Sequence, residues 1–109
     1  MDRWARLTEA IPWLRGLDPA LVRRLDLDEL VVPVGAVADA RIAVERAVDA
    51  HVMTYRHVPA TPGRRQLCQV FATAPLGPPA VAVLQAAEAR LDGVLLCAYA
   101  RPLRRREQD

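Results

Sequence analysis

The stretch RQLCQVFATAPLGPPAVAVLQAAEARLDGVLLCAYARP, residues 65–102, decides the fold of this chain. Two almost continuous apolar runs, residues 67–74 and 94–99, lie near its ends. Such runs are typical of strands that are covered on both faces. We therefore predict one strand over residues 65–74 and a second strand over residues 93–102.

The segment between the two runs has the pattern of a helix. Pro79 suits the first turn of a helix, and Gly93 suits the position just past its end. We therefore predict a helix over residues 79–92 that packs on the sheet, and a helical hairpin is the alternative for the apolar runs. Apolar residues recur at intervals of three and four along one face of this helix: Ala80, Val83, Leu84, Ala87 and Leu91.

The N-terminal part predicts two helices. Within residues 2–16, Pro12 should break or kink the helix near its middle. Asp18 followed by Pro19 is a typical helix start, because the Asp side chain can cap the helix and Pro fits its first position. Four apolar residues lie on one helical face of the first segment: Trp4, Leu7, Ile11 and Leu14.

The middle of the chain predicts a longer helix over residues 39–57. Arg41, Glu45 and Asp49 are spaced four apart, which is usual for a solvated charged face. Residues 30–34 contain a proline, which favours an edge strand or an irregular connection. The inner face of the helix is predicted to consist of Val44, Ala47, Val48, His51 and Tyr55.

Together these elements predict a small α/β (or α+β) domain over residues 1–103. Its sheet has two or three strands, and the helices 39–57 and 79–92 pack on it. The two N-terminal helices then cover the opposite face of the sheet. Residues 104–109 carry three arginines and little apolar surface, and we expect them to form a basic, disordered tail.

Composition excludes several functions. The 109 residues carry a formal net charge of only +2, so the chain as a whole does not have the charge of a polyanion binder. All 15 basic residues are Arg, as a GC-rich genome would favour, and Lys, Ser and Asn are missing. A Schiff-base lysine, a Walker lysine and a serine nucleophile are therefore excluded.

No membrane segment or secretion signal is expected. No apolar stretch reaches the roughly 18–20 residues that span a membrane. The N-terminus lacks the apolar centre of a secretion signal, so we expect a cytoplasmic protein. Cys68 and Cys97 lie inside the apolar runs, far from any zinc or CxxC spacing, and we predict buried thiols, no metal site and no cofactor.

Three groups of residues are candidate functional sites. An apolar surface for docking or dimerisation would consist of Trp4, Leu7, Ile11 and Trp13, although the tryptophans could instead cover the core. A polar pocket would consist of His51 and Tyr55, one helical turn apart, with His51 as a base that Tyr55 orients. Anion contacts would come from two arginine clusters: Arg64, Arg65, Arg104, Arg105 and Arg106.

These sites correspond to three functions. The favoured hypothesis is a non-enzymatic interaction or accessory module that contacts a protein partner or a second copy of itself. The second is a nucleic-acid-associated protein, which is not favoured because no aromatic residue lies between the arginines to stack on bases. The third is a small enzyme or ligand-binding domain around His51 and Tyr55. No complete catalytic set is evident in the sequence.

Overall fold

A computed structural model describes residues 2–106 of the chain. Over this range it is a mixed α/β domain, which confirms the predicted class. The elements are, in chain order, α1 (Arg3–Ala10), a 3₁₀ turn (Pro12–Gly16), α2 (Pro19–Val22), a second 3₁₀ turn (Leu27–Glu29), α3 (Gly35–Val48), β1 (His51–Tyr55), α4 (Leu67–Val70), α5 (Pro78–Ala89) and β2 (Leu95–Tyr99).

The elements predicted from helix caps are present. Asp18 Oδ1 accepts a hydrogen bond from the Ala20 amide at 2.9 Å and so caps α2. Pro12 separates α1 from a 3₁₀ turn, as its missing amide and fixed ring require. Pro78 begins α5, and Gly93 has a φ of 71°, the left-handed conformation that lets the chain turn from α5 into β2.

The predicted helix over residues 39–57 is wrong in its second half. The helix α3 ends at Val48, and Asp49 takes the left-handed conformation with a φ of 52°. The chain then enters β1, which pairs with β2 in antiparallel register, His51 opposite Tyr99 and Tyr55 opposite Leu95. The sheet of the described chain therefore has two strands, and they are antiparallel.

The predicted strand over residues 65–74 is also wrong. Its centre is the short helix α4, which begins with a reciprocal cap in which Gln66 N donates to Gln69 Oε1 at 3.0 Å. Leu67 and Val70 are spaced three apart and buried, as on one side of a helix. Only isolated bridges remain of the expected strand, such as the pairing of Thr73 with Tyr99.

The segment Leu30–Val34 is an irregular connection that runs along β1. Leu30 forms an isolated bridge to Tyr55. The Val31 amide donates to the Thr54 carbonyl at 3.0 Å, and Thr54 Oγ1 donates to the Val31 carbonyl at 2.9 Å. These contacts bring the 3₁₀ turn Leu27–Glu29 close to the end of β1.

The two faces of the sheet contact different parts of the chain. Alternate residues of a strand lie on opposite faces. Met53 and Tyr99 join a large apolar cluster with α1, the first 3₁₀ turn, α2 and α4. Val52 and Leu96 join a smaller cluster with α3 and α5. The N-terminal helices therefore cover the face opposite α3 and α5, as the sequence predicted.

The charged row on α3 is not a solvated face. Arg41 is buried and only 3% exposed. Its guanidinium donates from Nη1 to Glu45 Oε2 at 2.9 Å and to the Val52 carbonyl at 3.2 Å. Glu45 Oε2 also accepts from the Val52 amide at 2.8 Å, so this ion pair fixes α3 to the start of β1.

The arginines of the predicted tail are hydrogen-bonded to α4 and the residues after it. Residues 107–109 lie outside the described range, but Arg104–Arg106 do not form a disordered tail. The Arg106 amide donates to the Val70 carbonyl at 2.9 Å, and the Arg104 carbonyl accepts from the Ala72 amide at 2.8 Å. Arg106 Nε also donates to the Cys68 carbonyl at 2.9 Å.

Candidate functional site

A cavity of about 200 Å³ opens on the face of the sheet that the N-terminal helices cover. It lies among β1, β2, α4 and the 3₁₀ turn Leu27–Glu29, and we call it the tyrosine cavity. The side chains that matter for its chemistry are Glu29, Met53, Tyr55, Cys68, Cys97 and Tyr99.

The strand register explains why these side chains converge. Met53 pairs with Cys97 across the sheet, and Tyr55 lies two residues after Met53 on the same face. Tyr99 lies two residues after Cys97 and so shares this face as well. Cys68 comes from α4, and Glu29 comes from the 3₁₀ turn Leu27–Glu29. A hydrogen bond from the Arg56 amide to the Glu29 carbonyl, 2.8 Å long, holds this turn beside the end of β1.

The titratable groups of the cavity share one electrostatic property. Burial is the largest cause of a raised pKa in each case, and acidic neighbours raise it further. The cavity therefore favours protonated thiols and phenols. Arg106 lowers the pKa of Cys68, but burial and Glu29 raise it more, so neither thiol has the depressed pKa of an activated nucleophile. The groups with a raised pKa are Glu29, Tyr55, Cys68, Cys97 and Tyr99.

Glu29 is the acidic group of the tyrosine cavity. Burial of its carboxyl raises its pKa most, and the nearby Asp26 carboxylate raises it further. Hydrogen bonds from the Leu67 amide and the Gln66 side chain lower its pKa, because they stabilise the ionised form. None of these neighbours is a cation, so within residues 2–106 no positive charge lowers the pKa of this partly buried carboxyl.

Arg56 and His57 also line the cavity, and both are exposed. The Arg56 guanidinium donates from Nη1 to the Asp92 carbonyl at 3.4 Å. The same nitrogen lies 3.1 Å from the position that a Cβ on Gly93 would take. Arg56 is thus engaged with the turn between α5 and β2, and it does not appear among the groups that shift the pKa of Glu29.

His51 and Tyr55 do not form the predicted pocket together. They share one face of β1, but they are four positions apart along the strand, a distance of about 13 Å. The His51 ring stacks on Trp13 with a centroid distance of 4.9 Å. Burial and then the Arg101 charge lower the pKa of His51, whereas Glu45 raises it. Only Tyr55 of the predicted pair lines the cavity.

The predicted apolar docking surface lies in the core. Leu7 and Ile11 are 0% exposed, so neither is available to a partner. Trp4 and Trp13 are partly buried and pack against the large apolar cluster. The alternative prediction, in which the tryptophans cover the core, therefore describes these four residues.

The predicted anion contacts are anchored to two different parts of the chain. The Arg65 amide donates to the Arg24 carbonyl at 2.8 Å, and the Arg65 carbonyl accepts from the Asp26 amide at 2.8 Å. The Arg64 guanidinium donates to the Arg23 carbonyl. Residues 104–106 lie beside α4 instead. Several of these arginines therefore serve backbone contacts within the chain.

The cysteine prediction is partly wrong. Cys68 is exposed on α4, and Cys97 is of intermediate exposure on β2. Both are free thiols that line the same cavity. The pair Gln66 and Gln69 resembles a helix-capping box and could have predicted α4. Nothing in the sequence indicated that Glu29 would join these residues.

Two other kinds of site are not found in residues 2–106. No group of three or more His, Cys, Asp or Glu side chains there is arranged to hold a metal ion. None of the helices in this range combines the length and the apolar content needed to cross a membrane. The chain matches no known family model, no curated protein and no solved structure.

Proposed function

We propose that this protein is a small-molecule-binding domain whose ligand occupies the tyrosine cavity. The observation that carries the proposal is that five titratable side chains from two strands, a helix and a 3₁₀ turn line one cavity. Burial raises the pKa of each of them. Perturbed titratable groups cluster at functional sites, because binding and catalysis require groups whose solvation has been altered.

The walls of the cavity support the same function. Met53 and Leu30 provide apolar surface, and Glu29, Gln66 and the tyrosine hydroxyls provide a few polar groups. This combination is typical of sites for small organic molecules. A cavity of roughly 150 Å³ can hold benzene, so about 200 Å³ suits a molecule with a single ring and a short substituent.

A screen of single-ring compounds tests this proposal. At least one compound should bind to the full chain in ligand-observed NMR and should slow the alkylation of Cys97 by iodoacetamide, measured by mass spectrometry. Cys68→Trp should weaken that binding because it adds bulk to a cavity wall. Gln85→Trp is the matched control, because Gln85 is exposed on α5 and does not line the cavity. Compounds that bind without slowing Cys97 alkylation, or no binding at all, would contradict the proposal.

A second candidate function is self-association through α5. Glu88 is the only charged residue of this helix, and its Oε2 atom accepts from the Leu96 amide at 2.7 Å. The outer side therefore carries no exposed charge, and Val81 and Val83 are each 38% exposed. An uncharged face can meet its own copy across a two-fold axis without like-charge repulsion, so the occupant we propose is a second copy of this chain.

The self-association would be weak. A 12-residue helix is about 18 Å long and offers less than the roughly 800 Å² per partner that stable complexes bury. Sedimentation equilibrium should show a dimer only at high protein concentration. Ala86→Glu on the outer side of α5 should abolish it, whereas Glu9→Gln on α1 should leave it unchanged. A monomer at every concentration would contradict this candidate.

A further inference from the structure

We infer that the ligand of the tyrosine cavity is an organic cation, a molecule with one ammonium group that Glu29, Tyr55 and Tyr99 bind. This inference rests on the proposed small-molecule function and adds the chemical class of the ligand. It follows from the charges around Glu29, from the aromatic walls and from the size of the cavity.

The surroundings of Glu29 lack the charge that a cation would bring. The charged side chain that shifts the pKa of its carboxyl is Asp26, which is also a carboxylate and raises that pKa. Glu29 in turn raises the pKa of Tyr55, Tyr99 and the two cysteines. Arg56 and His57 also line the cavity, but neither is among the groups that shift the pKa of Glu29. A partly buried carboxylate is stabilised by an opposite charge within hydrogen-bond distance. The bound ammonium group would be that charge.

The same charges disfavour an anionic ligand. A carboxylate or phosphate in the cavity would meet Glu29 and, behind it, Asp26. The Arg56 guanidinium also lines the cavity, and one of its nitrogens, Nη1, donates to the Asp92 carbonyl at 3.4 Å in the turn between α5 and β2. The pKa of each cysteine thiol is raised, mainly by desolvation and further by Glu29, which favours the uncharged thiol.

The aromatic walls suit an ammonium group as well. The face of a tyrosine ring carries a negative quadrupole that attracts ammonium groups placed within about 6 Å of its centre. Tyr55 and Tyr99 both line the cavity, one from each strand. Met53 between them is polarisable and adapts to the apolar part of a ligand. Together these residues can hold a single ring with an aminomethyl substituent.

Isothermal titration with three probes of equal size tests the charge of the ligand. The probes are benzylamine, benzyl alcohol and benzoate, each titrated into the full chain at pH 7. Benzylamine should bind about tenfold or more tightly than benzyl alcohol, as expected for a charge-assisted hydrogen bond. Benzoate should bind most weakly of the three. Lowering the pH through the pKa of Glu29 should weaken benzylamine binding and leave benzyl alcohol binding unchanged.

Two variants make the test specific. Glu29→Gln should lower the affinity for benzylamine by about tenfold or more and leave benzyl alcohol within about twofold, because Gln still accepts hydrogen bonds but carries no charge. Glu9→Gln, on the exposed side of α1, is the matched control and should change neither affinity. If benzyl alcohol binds as tightly as benzylamine, or Glu29→Gln changes nothing, the cation inference is overturned while the cavity remains a binding site. If none of the probes binds and no compound of the wider screen protects Cys97, both the cation inference and the proposed small-molecule-binding function are contradicted.

Discussion

The two faces of the β1–β2 sheet treat their carboxylates in opposite ways. On the face covered by α3 and α5, Glu45 accepts hydrogen bonds from the buried Arg41 guanidinium and from the Val52 amide. On the other face, Glu29 lies in a cavity where its charged neighbour is another carboxylate. A carboxylate that serves the fold has its counter-ion within the chain. A partly buried carboxyl without one has a raised pKa, and we propose that a ligand cation interacts with it.

Removing the paired carboxylate should give the largest effect. Glu45→Ala leaves the Arg41 guanidinium, whose side chain is 4% exposed, buried without its charge partner. We expect the free energy of unfolding to fall by about 3–5 kcal/mol, as is typical when one member of a buried ion pair is deleted. Urea denaturation monitored by tryptophan fluorescence measures this loss.

Arg46→Ala is the control for that experiment. Arg46 is also on α3 but is exposed, so its removal should change stability by no more than about 0.5 kcal/mol. Similar losses for the two variants would mean that the pair of Arg41 and Glu45 does not fix α3 to β1. Glu45 would then not differ from Glu29 in its contribution to the fold.

Packing on the α5 face gives the next largest effect. Leu84 is 9% exposed and lies in the smaller apolar cluster, whereas its neighbour Gln85 is exposed. Leu84→Ala should cost about 2–5 kcal/mol because it leaves a cavity. Gln85→Ala should stay within about 0.5 kcal/mol. Equal urea midpoints for the two variants would show that the buried side of α5 has been assigned wrongly.

Truncation after Leu103 tests the wall of the tyrosine cavity. It removes the hydrogen bonds of Arg104 and Arg106 with Val70, Ala72 and Cys68, which hold the C-terminal segment against α4. We expect a loss of about 1.5–4.5 kcal/mol, since three hydrogen bonds are removed and each contributes roughly 0.5–1.5 kcal/mol net. A chain that ends at Arg106 is the comparator in the same urea titration. Identical midpoints for the two truncated chains would contradict these contacts.

The smallest effect should come from Glu29 and should have the opposite sign. The pKa of Glu29 is raised in the folded chain above its usual value of 4.5, so folding favours the protonated form. The contribution of Glu29 to stability is therefore present below pH 4.5 and is lost as the pH rises through the folded pKa. Glu29→Gln should be more stable than the natural chain at neutral pH and should lose this advantage in acid.

Urea midpoints between pH 4 and pH 7 measure this difference. A Gln variant that is less stable at every pH, or that has the same pH slope as the natural chain, would mean that Glu29 is satisfied by the fold. Glu9→Gln controls for the general effect of removing an exposed acidic residue.

The sequence predicted the elements that have strong local signals. α5 and β2 were predicted because a helical stripe, prolines at the helix start and Gly93 at its end all agree. α1 and α2 were predicted because Pro12 and Asp18 define their boundaries. These signals depend on neighbouring residues alone, and the tertiary contacts did not oppose them.

The remainder of the fold depends on long-range contacts. Asp49 ends α3 in a left-handed conformation, which at helix ends is usually taken by glycine. Because no glycine marked this end, the apolar spacing through His51 and Tyr55 continued to fit a helix. The alternation of Val52 and Thr54 with Met53 fitted a strand equally well. The tyrosine cavity combines residues 29, 55, 68, 97 and 99, and no spacing along the chain predicts such a set.

The direct measurement of the central claim is the titration of the Glu29 carboxyl by ¹³C NMR, with and without benzylamine. The ¹³C resonance of the Glu29 carboxyl is identified as the one that is missing from the spectrum of the Glu29→Gln variant. In the free chain the pKa of Glu29 should lie above 4.5, and saturating benzylamine should lower it, because the bound cation stabilises the ionised carboxylate. A pKa at or below 4.5 in the free chain, or one that benzylamine does not change, would contradict a carboxylate that the fold leaves for a ligand cation.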